Sequence, residues 1–427
     1  MPGQEPQHLI ADYWLAQREA PHALLLNATE ITAHNARLQA TVSARSRVDL
    51  QKGEMTLPRA QLIESLAKLK QAAEAGKRVM DDEKVPSVAL LTHLRKAIDD
   101  LQEVSELRGV LHSTPLRCYP TVSPVLEAPH EWAFDLGQCT QLHYGEVVRV
   151  LGRPAKSENG TLWYVRGAYS AGWIASDALS APLPPESAKA LHAPKSFVVV
   201  KHDRVAIWTR SEGGALLGVA RMGTRFPLLE KRANGTLEVQ AVGAKGITTA
   251  YLRRPSRVSL GYLPLTHANL LRNAFVLLHS PYGWGGMGAQ RDCSRLMMDI
   301  FSPFGLELPR NSRQQAQAGL RHVDVSTLSD AEKRRTIAEV GRKAVTLLYF
   351  KGHIMLYLGR EADRLYALHL FSGYLVPCPH GGETMHRVNH TSVTHLELGR
   401  GSSRRAFIER IERLVIIGPA KGKDPSH

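Results

Sequence analysis

The stretch at 281–294 reads Pro-Tyr-Gly-Trp-Gly-Gly-Met-Gly-Ala-Gln-Arg-Asp-Cys-Ser, and an apolar run at 296–301 follows it. A glycine-rich turn therefore leads into a predicted helix that begins at Cys293. Amide N–H groups at the start of a helix, together with its dipole, favour the thiolate form of a cysteine, as a nucleophile requires. An unpaired cysteine is also commonly a small buried apolar side chain, so this stretch alone leaves both interpretations open.

The residues around this helix predict an α+β domain. Apolar spacing at 270–278 predicts an amphipathic helix, and short apolar runs predict strands at 344–350, 354–358, 365–370 and 414–417. A helix that presents a cysteine to an antiparallel sheet is a papain-like layout. His353 begins the second strand and His369 lies on the third, so one imidazole could accept the thiol proton while the other orients its ring. Histidines at strand edges are also often structural, and the chain has 19 of them.

The residues before 261 change from a helical to a strand-rich pattern near Ser113. Helices are predicted from Asn27, from near Pro58 and over 88–107, whereas short β-branched and aromatic runs with glycine turns follow. The segment 159–162, Asn-Gly-Thr-Leu, recurs at 234–237, a shift of 75 residues that indicates an internal repeat. The order of strand, glycine turn, Trp-Tyr-Val strand and Gly-Trp-Ile strand resembles the bacterial SH3 domain.

We therefore predict a multidomain chain with a helical N-terminal element at 1–112, two SH3-like β-barrels at 113–183 and 193–260, and a C-terminal α+β papain-like catalytic domain at 261–427. A length of 427 residues agrees with roughly three or four domains. The net charge of +14 favours binding of polyanions, such as nucleic acid or an anionic cell-wall polymer. It could also belong to a solvated basic surface with no specific partner. No nucleic-acid-binding signature is present, and no apolar stretch approaches the ~20 residues of a membrane span.

Several motifs together carry a family resemblance: 281–286, 292–294, Leu-Pro-Arg-Asn-Ser-Arg-Gln-Gln at 308–315 and Gly-His-Ile-Met-Leu-Tyr-Leu-Gly at 352–359. In this order they resemble the NlpC-type cell-wall cysteine peptidases with tandem bacterial SH3 domains. The resemblance implies a peptidoglycan stem-peptide hydrolase that cleaves the bond between γ-D-glutamate and a diamino acid, usually meso-diaminopimelate. Cys293 is then the nucleophile, His353 the general base and His369 the orienting group, and no metal or cofactor is needed.

The same resemblance places Asp292, Ser294 and Ser312 in the substrate cleft. It also implies that the first SH3-like domain closes the far end of the cleft, so that peptides with a free N-terminal L-alanine are preferred. A tyrosine and a carboxylate would meet the ammonium group there. We expect Tyr169 to be the tyrosine, and Glu131 or Asp135 to supply the carboxylate. Arg295 departs from the family pattern, which usually has glycine after Asp-Cys-Ser.

Two other functions remain open from the sequence: a non-catalytic cell-wall-binding protein that kept the fold, and a papain-like acyltransferase. The first residues lack a secretory signal, which fits a cytoplasmic protein, or an envelope or periplasmic protein whose export signal was removed. Cys118 and Cys139 could pair if the protein is exported. The sequence does not indicate an oligomeric state.

Overall fold

A computed structural model describes residues 2–42, 49–50, 55–80, 85–127, 133–156, 160–192 and 194–418. The first part of the chain is mainly helical. Its elements are α1 (Ala11–Leu15), β1 (Leu24–Leu26), α2 (Ala28–Thr41), α3 (Arg59–Glu74), β2 (Arg78–Met80) and α4 (Val88–Asp99). Asn27 caps α2 by accepting a hydrogen bond from the Glu30 backbone, and Glu30 returns one to Asn27. The expected helix over 88–107 ends early, because residues from Leu101 onward pair as a strand.

The first sheet has seven antiparallel strands and starts at Leu101, ahead of the expected boundary at 113. Its strand order is β10-β3-β7-β8-β9-β4-β6, while β5 pairs with β2. The bounds are β3 (Leu101–Val110), β4 (Thr114–Arg117), β5 (Val125–Glu127), β6 (Gln138–Leu142), β7 (Val147–Pro154), β8 (Leu162–Gly167), β9 (Ala171–Ala175) and β10 (Leu179–Pro182).

The second sheet repeats this strand order after the linking helix α5 (Pro185–His192). Its order is β13-β12-β16-β15-β14-β11-β17, which read from the other edge matches the first sheet strand for strand. Its strands are β11 (Phe197–Val200), β12 (Arg204–Trp208), β13 (Leu216–Arg221), β14 (Arg225–Lys231), β15 (Leu237–Gly243), β16 (Gly246–Leu252) and β17 (Val258–Leu260). The shared order agrees with the predicted internal repeat. The assignment of both sheets as SH3-like barrels stays a prediction.

The catalytic part is built on a six-stranded antiparallel sheet of order β19-β24-β20-β21-β22-β23. Its elements are β18 (Leu265–Thr266), α6 (His267–Phe275), α7 (Cys293–Phe301), α8 (Ser312–Gln315), β19 (Arg321–Asp324), α9 (Asp330–Lys343), β20 (Val345–Phe350), β21 (His353–Glu361), β22 (Arg364–Pro377), β23 (Glu383–His395), α10 (Phe407–Arg410) and β24 (Arg413–Ile417). The expected strands are present, and β18, β19, β23, α9 and α10 are additional. No helix in the described ranges is long and apolar enough to span a membrane.

The apolar core is continuous between the first sheet and the catalytic part. Val148 and Val165 of the first sheet, Met297 of α7 and Leu356 of β21 belong to one cluster of buried side chains. Because burial of apolar surface is the main source of stability, the first sheet and the nucleophile helix are held together as one packed unit. The first sheet therefore has a fixed place beside the cysteine.

The segment at 5–26, which we call the arm, packs against the catalytic sheet. Trp14 is fully buried, and Arg18 donates hydrogen bonds to the carbonyl oxygens of Gly341, Tyr357 and Leu358. The strand β1 within the arm pairs with β18. Residues at opposite ends of the described chain thus meet behind the catalytic sheet.

Candidate active site

The glycine-rich turn before Cys293 packs closely against the first sheet. Gly285 and Gly286 have φ values of 57° and 84°, a region that favours glycine. A Cβ atom would lie 2.7 Å from a side-chain carbon of Gln138 at Gly285, and of Gln141 at Gly286. The glycines are therefore required by backbone conformation and by close approach. This contact places strand β6 at the edge of the cleft that holds the cysteine.

Asp292 fixes the start of the nucleophile helix. Its Oδ1 accepts hydrogen bonds from the Arg295 backbone N–H at 2.8 Å and from the Ser294 hydroxyl at 3.1 Å. This is an N-terminal cap, which satisfies an amide that would otherwise lack a partner. Cys293 follows as the first helical residue and is partly buried.

The two predicted histidines lie together beside the cysteine. The distance between His353 Nε2 and His369 Nδ1 is 2.9 Å, and His369 Nε2 lies 2.8 Å from Thr394 Oγ1. The backbone of Ile354, the residue after His353, is within hydrogen-bonding range of the Cys293 sulfur. Since His353 Nε2 is engaged by His369, its Nδ1 is the nitrogen left to accept a proton.

Burial keeps the cysteine and the base uncharged. Burial raises the pKa of the Cys293 thiol to about 12, with Asp292 acting in the same direction and the Ile354 backbone and Arg310 opposing it. Burial, and then the charge of Arg410, lower the pKa of His353 to about 3. With these pKa values the pair is a neutral thiol and a neutral imidazole near pH 7.

An aromatic enclosure causes the burial of the imidazoles. The His369 and Phe371 rings stack with centroids 4.3 Å apart, and Phe407 lies 6.0 Å from His353 and 5.0 Å from His369. Burial also lowers the pKa of His369 well below its usual value. His369 is thus uncharged near pH 7, and both of its ring nitrogens are engaged by neighbouring side chains.

Arg310 organises the residues next to the cysteine. Its Nη2 lies 2.7 Å from Asp292 Oδ2, its Nη1 donates to the Ser294 hydroxyl at 3.0 Å, and its Nε donates to Thr140 of the first sheet at 2.6 Å. Burial alone would raise the pKa of Asp292, but Arg310 and the capping hydrogen bonds lower it overall. Sequence reasoning missed Arg310 and Thr394 as site residues, although Arg310 stands inside the motif at 308–315.

The predicted substrate residues share one cleft of about 1000 Å³. Asp292, Ser294 and Ser312 line it together with Cys293 and His353. Ser312 begins helix α8 and is partly exposed. The cleft is bounded on one side by the first sheet and on the other by the catalytic sheet.

Tyr169 lines the same cleft, but its hydroxyl is already engaged. It donates to Glu146, with oxygen distances of 2.8 and 2.9 Å, and accepts from Arg295 Nη1 at 2.8 Å. Arg295 in turn lies 2.7 Å from Asp299 and 3.8 Å from Glu146. The residue that departs from the family pattern therefore connects the nucleophile helix to the first sheet.

Of the two expected acidic partners of Tyr169, the structure describes only Asp135, which does not join it. Asp135 pairs with Arg117 and accepts hydrogen bonds from the Val125 and Gly137 backbone N–H groups, so the structure does not bring its carboxylate to Tyr169. The expectation for Asp135 fails because a buried arginine holds this carboxylate within its own loop. Glu131 lies outside the described residues.

Cys118 and Cys139 form a disulfide bond, and Cys139 lines the cleft. Within the described ranges, no group of three or more histidine, cysteine, aspartate or glutamate side chains is arranged to hold a metal ion.

Comparisons with known proteins place the cysteine region in a family. Residues 279–394 match the NlpC/P60 family. Over 175 residues the chain is 27% identical to a γ-D-glutamyl-L-lysine dipeptidyl-peptidase of Bacillus subtilis, covering 41% of this chain and 54% of that protein. The chain thus spans about half the length of this curated relative.

The overall fold is also similar to that of solved structures. An NlpC/P60 endopeptidase from Photobacterium damselae subsp. piscicida matches with a TM-score of 0.74 and 14% identity, over 95% of this chain and 97% of that chain. An NlpC/P60 family protein from Bacillus cereus matches with a TM-score of 0.49 and 18% identity, over 73% of this chain and 100% of that chain.

Proposed function

Because residues 279–394 form an NlpC/P60 domain, we propose that the chain is a cysteine peptidase that cleaves the bond between γ-D-glutamate and a diamino acid in peptidoglycan stem peptides. The observation that carries this proposal is the hydrogen-bonded series from His353 through His369 to Thr394, placed beside a cysteine at a helix start. The name of the Bacillus subtilis relative supports the bond type.

In this reaction the Cys293 sulfur attacks the γ-carbonyl of D-glutamate while His353 Nδ1 takes the thiol proton. The Cys293 backbone N–H contributes to stabilising the oxyanion that forms. His353 then gives its proton to the amine of the diamino acid as the C–N bond breaks, leaving a γ-glutamyl thioester. Water, activated by the same imidazole, hydrolyses the thioester and restores the thiol.

The residues around Cys293 support binding of a polar peptide. Arg310 balances the charge of Asp292 and is hydrogen-bonded to Ser294, so these two side chains are held in place before substrate arrives. The Ser312 hydroxyl faces the cleft and makes no hydrogen bond within the described part of the chain. We assign Ser312 a direct hydrogen bond to the peptide.

We further propose that peptides with a free N-terminal L-alanine are preferred. Tyr169, from the loop between β8 and β9, and Glu127, at the end of β5, both line the cleft, and Glu127 is exposed. A carboxylate at this end favours an ammonium group. Asp135 is held by Arg117 in a buried pair, whereas Glu127 lies 3.6 Å from Arg78 in a pair whose carboxylate is exposed to solvent. Glu127 is therefore our candidate for this role. An N-acetylated peptide should therefore be cleaved more slowly than the free peptide, and Glu127→Gln should reduce the difference. Equal rates for both peptides would contradict the preference.

The decisive experiment incubates the protein with L-Ala-γ-D-Glu-meso-diaminopimelate and identifies the products by mass spectrometry. Release of L-Ala-D-Glu is expected, and it should be absent with Cys293→Ala. Unchanged peptide would favour a wall-binding protein, and cleavage that survives Cys293→Ala would refute the proposed mechanism. Adding an amine acceptor tests the acyltransferase alternative, which requires a new amide product.

The disulfide between Cys118 and Cys139 supports a location in the cell envelope or periplasm, because such bonds persist in oxidising compartments. Thiol labelling of protein taken directly from cells tests this location. Full labelling of both cysteines would favour the cytoplasmic alternative.

A further inference from the structure

The wall of the cleft beside His353 is basic. Arg404, Arg405 and Arg410 line the cleft, and all three come from the segment between β23 and β24. This segment follows the residues that match the NlpC/P60 family, which end at 394. The wall therefore lies outside the residues that match the family.

These three arginines lack the partners that a neighbouring arginine has. Arg400 forms ion pairs with Asp330, Glu397 and Glu409, at distances of 2.8 Å for the first and 3.6 Å for the last. In contrast, none of the three wall arginines forms an ion pair with a carboxylate of the described chain. Glu383 lies close enough to feel the charge of Arg404, but its oxygens are bound by the Ser403 backbone and hydroxyl.

The three cations are also close to each other. Burial lowers the pKa of Arg410, and the charges of Arg404 and Arg405 lower it further, while the charge of Glu412 opposes them. The Arg410 guanidinium lies 3.9 Å from the centre of the Phe350 ring, which holds it in a partly buried position. Like charges held together without a directly paired carboxylate repel each other, and an anion that binds between them reduces the repulsion.

The position of the cluster identifies the part of the substrate that it meets. The charge of Arg410 lowers the pKa of His353, and Phe407 of the same helix packs against both imidazoles. His353 returns its proton to the leaving amine, so the leaving amino acid lies on this side of the cleft. Tyr169, from the first sheet, lines the cleft as well, but belongs to a different part of the chain from the three arginines.

We propose that Arg404, Arg405 and Arg410 form a carboxylate-binding site that sets specificity for the leaving diamino acid. This inference rests on the proposed function. meso-Diaminopimelate carries a carboxylate beside its distal ammonium group, whereas lysine carries only the ammonium group. The arginine cluster attracts the distal carboxylate of meso-diaminopimelate and repels the side-chain ammonium group of lysine. Guanidinium groups also match a carboxylate with two parallel hydrogen bonds.

Binding to the Cys293→Ala protein tests the site without turnover. Isothermal titration would use three peptides that share L-Ala-γ-D-Glu and end in meso-diaminopimelate, in its derivative with an amidated distal carboxylate, or in L-lysine. A hydrogen bond to a charged group contributes about 1.5–3 kcal/mol, so the first peptide should bind about 10- to 100-fold more tightly than the other two. The amidated peptide separates the effect of charge from that of shape.

The variants Arg404→Gln and Arg405→Gln, combined with Cys293→Ala, should abolish most of this difference. Arg400→Gln is the matched control, because it removes one positive charge from the same segment but from a paired side chain. Equal affinity for the three peptides, no measurable binding, or a preference that survives both substitutions would overturn the proposal. Hydrolysis by the unsubstituted protein is measured separately: a binding difference without cleavage would count against the proposed function alone.

Discussion

Replacing Arg295 with methionine should destabilise the protein. The size of the loss measures how much this residue contributes by joining the nucleophile helix to the first sheet. The Arg295 side chain is 8% exposed and joins three groups: Asp299, the Tyr169 hydroxyl and Glu146. In Arg295→Met, Asp299 keeps its ion pair with Arg291 at 2.7 Å. Glu146 keeps only the Tyr169 hydroxyl and the His143 backbone N–H, so a partly buried carboxylate, 23% exposed, is left without its cation.

The expected loss in the free energy of unfolding is about 3–5 kcal/mol, the usual cost of leaving one partner of a buried ion pair uncompensated. Burial already raises the pKa of Glu146, and the charge of Arg295 opposes this rise. Without Arg295 the pKa of Glu146 in the folded state rises further above its unfolded value. Stability from a carboxyl group with a raised folded pKa falls as pH rises, so the loss should be larger at about pH 8 than at about pH 5.

Urea unfolding monitored by tryptophan fluorescence measures this loss. Glu146→Gln is the matched partner variant, because it removes the charge that Arg295 balances. In the double variant Arg295→Met/Glu146→Gln, the loss should be smaller than the sum of the single losses by about 1–3 kcal/mol. A loss below about 0.5 kcal/mol for Arg295→Met, or additive effects in the double variant, would refute this description of the site.

Three further predictions follow from the same geometry. Alkylation of Cys293 by iodoacetamide should accelerate steadily from about pH 7 to about pH 10, because the thiol is neutral; a plateau reached below neutral pH would show a preformed ion pair instead. Arg310→Ala should lower the free energy of unfolding by about 3–5 kcal/mol and remove most activity, because Asp292 is left buried and unpaired; Arg310→Lys should lose less stability, and equal losses would contradict the role of the charge. Burial lowers the pKa of His267 to about 4 and that of His353 to about 3, below about 6.5 in the unfolded chain. Stability should therefore be greatest above pH 6.5 and fall below it by up to about 1.4 kcal/mol per pH unit for each histidine, and a pH-independent unfolding midpoint would exclude this.

The parts of the site that rest on local pattern could be predicted from the sequence. A glycine turn before a capped helix is encoded within about a dozen residues, so the position of Cys293 is readable from local spacing. The strands that carry His353 and His369 are adjacent in the chain, so antiparallel pairing brings the two side chains together. Thr394 could not be found in this way, because it reaches His369 only through the pairing of β22 with β23, and β23 lacks a clear apolar pattern.

The contacts between charged side chains were harder to predict from the sequence. Arg310 and Asp292 are 18 positions apart, and their contact depends on the path of the chain between α7 and α8. Asp135 stands in a polar stretch that is typical of an exposed loop. Its side chain is nevertheless buried, because it forms an ion pair with Arg117 of β4. Tertiary packing decides which carboxylate pairs with which arginine. The sequence spacing of charged residues does not indicate their partners.

The late synthesis of the catalytic sheet determines when the arm can dock. Arg18 is made early, and its acceptor on Gly341 lies 323 residues later. At roughly 5–20 residues per second, the ribosome needs about 16–65 s to make that interval, and until then Trp14 and Leu15 have no sheet to bury against. Docking of the arm is therefore among the last steps of folding, although its residues emerge first. Damage to the arm should reduce the yield of folded protein before it alters the chemistry at the cysteine.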